Sequence, residues 1–417
     1  MIHQLVIKNF YSIRDTVEID LPVSKLTPND ENRFAPLSSD TDINAPKVVA
    51  FFGPNAAGKS TVLRAPAFVS WFIQHSFGRP AGQLAAPLPC QRFNDVGSKG
   101  DPVEISIRFN APSNLLAGGA SDSPHCRYEY ELMLGGGDLE PTHVVKERLS
   151  YWPFNEGQTK RASKRSKLFE RHLKDVSASG SFYMQGFEAA LANILRDDVS
   201  VISTLVQLRH QPSMSIQKFA IDTEYNILAE RFDFKHQDMS MHYYQNRELL
   251  EALNRDIQRL DLGIKEVRVD PPKQPNTRNP EARFVHHGLA SPLGFTGESH
   301  GTRQFFMIFP LIRTVLISGG VAVIDELDTA IHPLLLPEII RWFYNPERNP
   351  KNAQLWLTCQ HSSLLGELSK EEVFFCEKDR TGRTSVFGLR DVKPVRRTEN
   401  YIKKYLSGEY GAVPHIG

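Results

Sequence analysis

Residues 53–60 read Gly53-Pro54-Asn55-Ala56-Ala57-Gly58-Lys59-Ser60, which fits G-x-x-x-x-G-K-[ST]. The spacing carries chemistry. Glycines let backbone N–H groups wrap a phosphate without Cβ clashes, and a helix that follows points its positive end at the same anion. Lys59 is placed to reach the β and γ oxygens of a nucleotide, Ser60 offers a hydroxyl to Mg²⁺, and Thr61 completes the set. A chance match in a Gly-rich turn is the competing account. The apolar strand before the loop and the helical pattern after it favour phosphate.

Residues 321–326, Val-Ala-Val-Ile-Asp-Glu, supply a second half. Four apolar residues make a buried strand that ends in two carboxylates. Asp325 is placed to bind Mg²⁺, directly or through water, and Glu326 to orient and deprotonate an attacking water. Alone, a strand ending in a solvated acidic turn explains this equally well; beside a phosphate loop it does not.

Two further stretches are weaker singly. In TGESHGTRQFF, Ser299, Gly301 and Thr302 open an apolar helix, and small or hydroxylated residues there can face a phosphate. In QLWLTCQHSSLL, a strand ends in Thr358, Cys359, Gln360 and His361, and His361 can contact a γ-phosphate. Taken alone, an ordinary helix cap and a satisfied histidine are the better accounts.

The elements that position these groups follow from periodicity. LVI (5–7) and TVEIDL (16–21) read as a hairpin, and KVVAFF (47–52) as a buried parallel strand. STVLRAPAFVSWFIQHSF reads as a helix that Pro66 kinks or restarts. Residues 103–109, 127–134 and 144–152 read as strands. Residues 187–209 and 246–262 carry helical periodicity, with Leu249, Leu253, Ile257 and Leu260 on one face. From 298 onward helix and apolar strand alternate, the mark of an α/β core. With 417 residues, two domains or one with a large insertion is expected. The division drawn is 1–154, an N-terminal half with phosphate loop and β subdomain; 155–265, a mainly helical insertion; and 266–417, a C-terminal half with the remaining motifs.

In order, the phosphate loop, ESHGT, VAVIDE and TCQH resemble the ABC-type ATPase core used by SMC and RecF-like proteins. The departures are Ser299-His300-Gly301-Thr302 in place of serine-glycine-glycine-glutamine, and His332 where an aspartate is usual. Gln91 in CQRF is the candidate for the glutamine expected between strand and insertion. ESHGTRQ, DELDTAIHPLLLPEII, TCQHSSLL and the tail RRTENYIKKYLSGEYGAVPHIG narrow the resemblance to the AAA_15/AAA_21 group of bacterial ATPases, which includes RloA-type and abortive-infection (AbiL-type) proteins. It covers about 1–150 and 283–417.

The resemblance implies an α/β fold: an ABC-type P-loop ATPase core of mixed sheet with flanking helices and an antiparallel β subdomain, interrupted by the helical insertion. It implies ATP and Mg²⁺, the latter held by Ser60 and Asp325. Glu326, His361 and Lys59 would do the chemistry, and Ser299, Gly301 and Thr302 would act on the ATP of a second subunit in a head-to-tail homodimer or higher assembly. It further implies a sensor or scaffold in antiphage defence, with a separate effector such as a nuclease. The alternatives are a RecF/SMC-like DNA-maintenance ATPase and a metabolic kinase. An activated water beside a γ-phosphate argues against the kinase.

Bulk properties narrow the setting. The net charge is +1, so nucleic-acid contact must come from a local patch. TKRASKRSKLFERHLKD (159–175) is the candidate, with Lys160, Arg161, Lys164, Arg165 and Lys167; a solvated loop or a dock for an acidic protein surface accounts for it equally. Four scattered cysteines, no signal-peptide pattern and no apolar run of about 20 residues point to a reduced, cytoplasmic protein without membrane contact.

Overall fold

The computed structural model describes residues 1–414 apart from 25, 38–42, 83–85, 113–124, 153–163, 233–234, 260–262, 273–278, 330–334 and 394. A six-stranded sheet lies at the centre, in the order Thr223–Tyr225, Val321–Ile324, Gln354–Thr358, Val48–Phe52, Val373–Lys378 and Thr384–Gly388. The first five strands are parallel, and the last pairs antiparallel with its neighbour. A sheet buried on both faces needs apolar residues at every position, not every second one. Val49 and Phe51 accordingly enter one core, while Val48, Ala50 and Phe52 enter the other.

The first core joins this sheet to a seven-stranded antiparallel sheet through the helices Lys59–His75, Val201–Gln207 and Gln211–Ile221. That second sheet runs Asp175–Ala178, Ser166–His172, His143–Tyr151, His125–Gly135, Val103–Pro112, Ile2–Lys8 and Val17–Asp20. The expected opening hairpin is there, with Leu5 opposite Ile19 and Ile7 opposite Val17. The second core packs the helices Arg247–Arg259, His300–Ser318 and Leu336–Tyr344 on the other face. Gln354, fully buried, ties the sheets together. Its side chain accepts from Ile2 N at 2.9 Å and donates to Ile2 O at 3.0 Å and Pro46 O at 2.9 Å.

Three details differ from the sequence reading. The helix Lys59–His75 runs through Pro66 as one element, its first half buried on most sides. Tertiary packing outweighs the single backbone bond that Pro removes. The stretch 187–209 is two short helices, Glu188–Ile194 and Val201–Gln207, and Ser200 caps the second by accepting from Ile202 N at 3.0 Å. Residues 166–178, inside the segment read as mainly helical, are instead the outer strands of the antiparallel sheet. The insertion also contributes to the core, since Thr223–Tyr225 forms an edge strand of the central sheet.

Candidate functional site

The phosphate loop sits between the central strand Val48–Phe52 and the helix from Lys59. Its glycines are required by space as well as by backbone. Gly53 has φ +145°, and a Cβ there would lie 2.3 Å from Cys376 O. Gly58 has φ +97°, and its Cβ would lie 2.2 Å from Thr384 Oγ1. Lys59 Nζ donates to Gly53 O at 2.8 Å and Pro54 O at 3.0 Å, so the ammonium lies along the inside of the loop. Burial pulls this lysine below its ordinary range, and Cys376, Asp325, Asp328 and Glu326 pull it back up. Thr61 is turned toward the opening hairpin, its hydroxyl 3.0 Å from Ser12 Oγ.

Ser60 and Asp325 meet across 265 residues of chain. Ser60 Oγ donates to both carboxylate oxygens, at 2.9 and 3.0 Å. Thr358 Oγ1 donates to Asp325 Oδ1 at 2.7 Å and accepts from Glu326 N at 2.6 Å. Adjacent parallel strands bring these residues together, with Ile324 paired to Leu357. A hydroxyl beside a carboxylate is an all-oxygen donor set of the kind Mg²⁺ takes. Both residues, with the loop cradle, fit a metal–nucleotide pair.

Glu326 has φ +51°, unusual for a residue with a Cβ. Its carboxylate is held on both oxygens. Oε2 accepts from Arg231 Nη1 at 2.7 Å and Thr329 Oγ1 at 3.2 Å, and Oε1 accepts from Gln360 Nε2 at 3.3 Å. Asp328, two residues on, orders the turn after the neighbouring strand. Its Oδ2 accepts from Gln360 N at 2.6 Å, His361 N at 2.8 Å and Cys359 Sγ at 3.2 Å. His361 thereby stands exposed at the strand end. A cavity of about 740 Å³ joins Lys59, Ser60, Gln91, Glu326, Thr358 and Gln360. Gln91, the uncertain candidate, is thus at the site.

Ser299, Gly301 and Thr302 are not among the residues lining that cavity. They open the helix His300–Ser318, where Ser299 caps by accepting from Thr302 N at 3.1 Å and lies 2.9 Å from Thr302 Oγ1. Ser299 and His300 are exposed. His332 lies outside the described residues.

The basic segment is only partly a patch. Lys160 and Arg161 lie outside the described residues, and Lys164 is exposed. Arg165 pairs with Glu129, and Lys167 with Glu170 at 3.4 Å. Arg171, from the same run, is fully buried.

Four residues at the site carry no motif of their own. Thr358 lay inside a quoted stretch without a role, and Asp328 sits two places after Glu326. Asn226, which grips the Asp325 backbone, and Arg231 lie 99 and 95 residues away in chain. Only the edge strand beside Val321–Ile324 brings them close.

The fold and site define a P-loop protein, with a phosphate loop set between a central parallel strand and the helix that follows it. Residues 48–365 match the family described as "AAA domain, putative AbiEii toxin, Type IV TA system". The match spans well over half of the 417 residues, and the chain belongs to that family. A search of curated proteins finds no match. Similar solved structures include an Smc head bound to the C-terminal winged-helix domain of ScpA, at 15% identity and TM-score 0.42, over 93% of this chain and 97% of that one. The SMC head domain from Thermotoga maritima aligns at 13% identity and TM-score 0.41, over 93% and 98%. An Smc head with coiled coil and joint derived from Pyrococcus yayanosii aligns at 10% and 0.43, over 98% and 99%. Among the described residues, no helix is long and apolar enough to cross a membrane.

Proposed function

We propose that this chain binds and hydrolyses ATP as an ABC-type ATPase whose active sites form between two copies. The observation that carries the reading is the junction of Ser60, Asp325 and Thr358 beneath the phosphate loop, with Glu326 beside it. Lys59 and the loop amides would hold the phosphates, and Ser60 and Asp325 would hold Mg²⁺. When bound, the ion would neutralise charge on the β and γ oxygens. Glu326 would take the proton of the attacking water; Gln360 lines the cavity beside Lys59, and His361, the next residue, is exposed and not among the residues lining it, so its contact with a γ-phosphate is part of the proposal. Ser299 is exposed and Gly301 half-buried at a helix start that does not line the cavity of the chain's own loop, with Thr302 buried behind them, which supports action of Ser299 and Gly301 on the nucleotide of a second copy. ATP then makes contacts only in the closed pair, and so shifts an open–closed equilibrium.

The family description names a toxin of a toxin–antitoxin system. With that, the reading extends to a cytoplasmic sensor or scaffold in antiphage defence that acts through a separate effector, a nuclease being one kind. Nucleic acid remains a candidate trigger through the segment around Lys164.

Two variants test the ATPase. Glu326→Gln should bind ATP with wild-type affinity and release no phosphate, and Lys59→Ala should lose affinity. Undiminished hydrolysis by Glu326→Gln, or tight binding by Lys59→Ala, overturns the assignment.

A further inference from the structure

Arg231 does not belong to any nucleotide-binding motif, yet it makes the shortest side-chain contact to the Glu326 carboxylate, at 2.7 Å. It also lines a second cavity, of about 320 Å³, on its other side. That cavity is bordered by His300, Arg303 and Gln304 from the first turns of the helix that Ser299 caps. No acidic side chain lines it among the described residues. Arg303 Nε is buried without a hydrogen-bond partner among them. One guanidinium therefore stands between the carboxylate of one nucleotide site and the cationic helix start assigned to the other.

We propose that Arg231 is a latch on Glu326, released when the terminal phosphate of a nucleotide held by a second copy arrives at the His300–Arg303 end. This rests on Glu326 being the base and on Ser299 acting across a dimer. The physical case has three parts. Oε2 already accepts from Arg231 and Thr329, and Oε1 from Gln360, so no oxygen of Glu326 is without a donor that water must displace or share. Arg231 also lines the cavity that His300 and Arg303 border, so an anion arriving there meets the same guanidinium that holds Glu326. A terminal phosphate carries more charge than a carboxylate and accepts a guanidinium in bidentate fashion, which makes it an effective competitor. Arg231 then acts through Glu326 as a positioning residue, and it couples the two sites: nucleotide at one frees the base of the other.

The test is steady-state ATP hydrolysis by the full chain across ATP concentrations. Arg231→Ala should raise turnover about fivefold or more at low ATP, the lower end of couplings of this kind. It should also lower the Hill coefficient for ATP toward one, a readout that mere loosening of the fold would not move. Arg231→Lys, which keeps charge but not the planar fork, should fall between. It also serves if the alanine variant fails to fold. Turnover at or below wild type in both variants, with ATP binding intact, overturns the latch. Glu326→Gln in the wild-type and Arg231→Ala backgrounds separates the two levels. If it is silent while Arg231→Ala shows no rise, only the latch fails. If it still hydrolyses ATP, the assignment of the base fails with it.

Discussion

Asn226 holds the backbone of Asp325 from both sides: Asp325 N donates to its Oδ1 at 2.7 Å, and its Nδ2 donates to Asp325 O at 3.0 Å. The amide is almost wholly buried, and both of its ends are matched. Asn226→Asp would set a carboxylate oxygen against the Asp325 carbonyl. We expect a loss of about 1–3 kcal/mol in stability and Mg²⁺-dependent nucleotide binding weakened by about tenfold or more. Denaturant midpoints and titration of a fluorescent ATP analogue, with and without Mg²⁺, check this; unchanged binding would show that the clamp does not place Asp325.

Gly58 separates two costs that glycine avoids. Gly58→Ala meets Thr384 Oγ1, which is itself fixed by donating to Ser12 Oγ at 2.8 Å and Ala57 O at 3.0 Å. Gly186 has φ +87° and open space around it. Gly186→Ala should therefore cost only the left-handed backbone, roughly 1–2 kcal/mol. Gly58→Ala should cost more and abolish nucleotide binding. Thermal unfolding of the two variants side by side measures the difference.

Arg171 and Glu147 form a buried network rather than a surface. Both side chains are fully buried and 3.8 Å apart. Glu147 accepts from Tyr130 Oη at 2.8 Å, Ser200 Oγ at 2.7 Å and Val201 N at 2.9 Å. Arg171 donates to Leu173 O, to Val199 O at 2.5 Å and to Arg196 O at 2.9 Å. Arg171→Met strands a buried carboxylate and three carbonyls, so we expect a loss of roughly 3–5 kcal/mol. A surface role would predict a change within about 0.5 kcal/mol, and urea unfolding distinguishes the two.

His210 makes stability fall in mild acid. The ring is buried, with Nε2 2.9 Å from Phe182 O and Nδ1 2.9 Å from Ser213 Oγ. Burial lowers its pKa below the ordinary value, while bonds to the backbone of Phe182 and Tyr183 oppose the shift. The unfolded chain then takes up the proton first. The stability contributed by neutral His210 is complete above the unfolded pKa of about 6.5 and is lost as pH falls through the native one. Its slope is at most about 1.4 kcal/mol per pH unit. Urea midpoints from pH 8 to pH 5 should fall less steeply in His210→Asn than in wild type.

What could be read beforehand divides by distance along the chain. Gly53–Ser60 and Val321–Glu326 are contiguous, and their chemistry depends on neighbours in sequence, so both were legible. The hairpin of Leu5 and Ile19 was legible for the same reason. Asn226 and Arg231 were not, because only the pairing of Thr223–Tyr225 with Val321–Val323 gives them their targets. Composition misled at 159–175. A run of lysine and arginine suggested a solvated face, but Ser166–His172 is a strand in which Phe169 and Arg171, two residues apart, both turn inward, and a register shift between Lys167 and Phe169 buries Leu168 as well. Pro66 misled similarly, since a local rule was overruled by packing.

The order of strands in the central sheet has a consequence for how the protein is made. Val48–Phe52 lies between Gln354–Thr358 and Val373–Lys378, so the strand carrying the phosphate loop has neither partner until the ribosome has added some 300 further residues (354 − 52 = 302). At about 5–20 residues per second the wait is on the order of half a minute. Throughout it the apolar strand lacks both of its sheet partners, exposed surface of the kind that makes unfinished chains prone to aggregate.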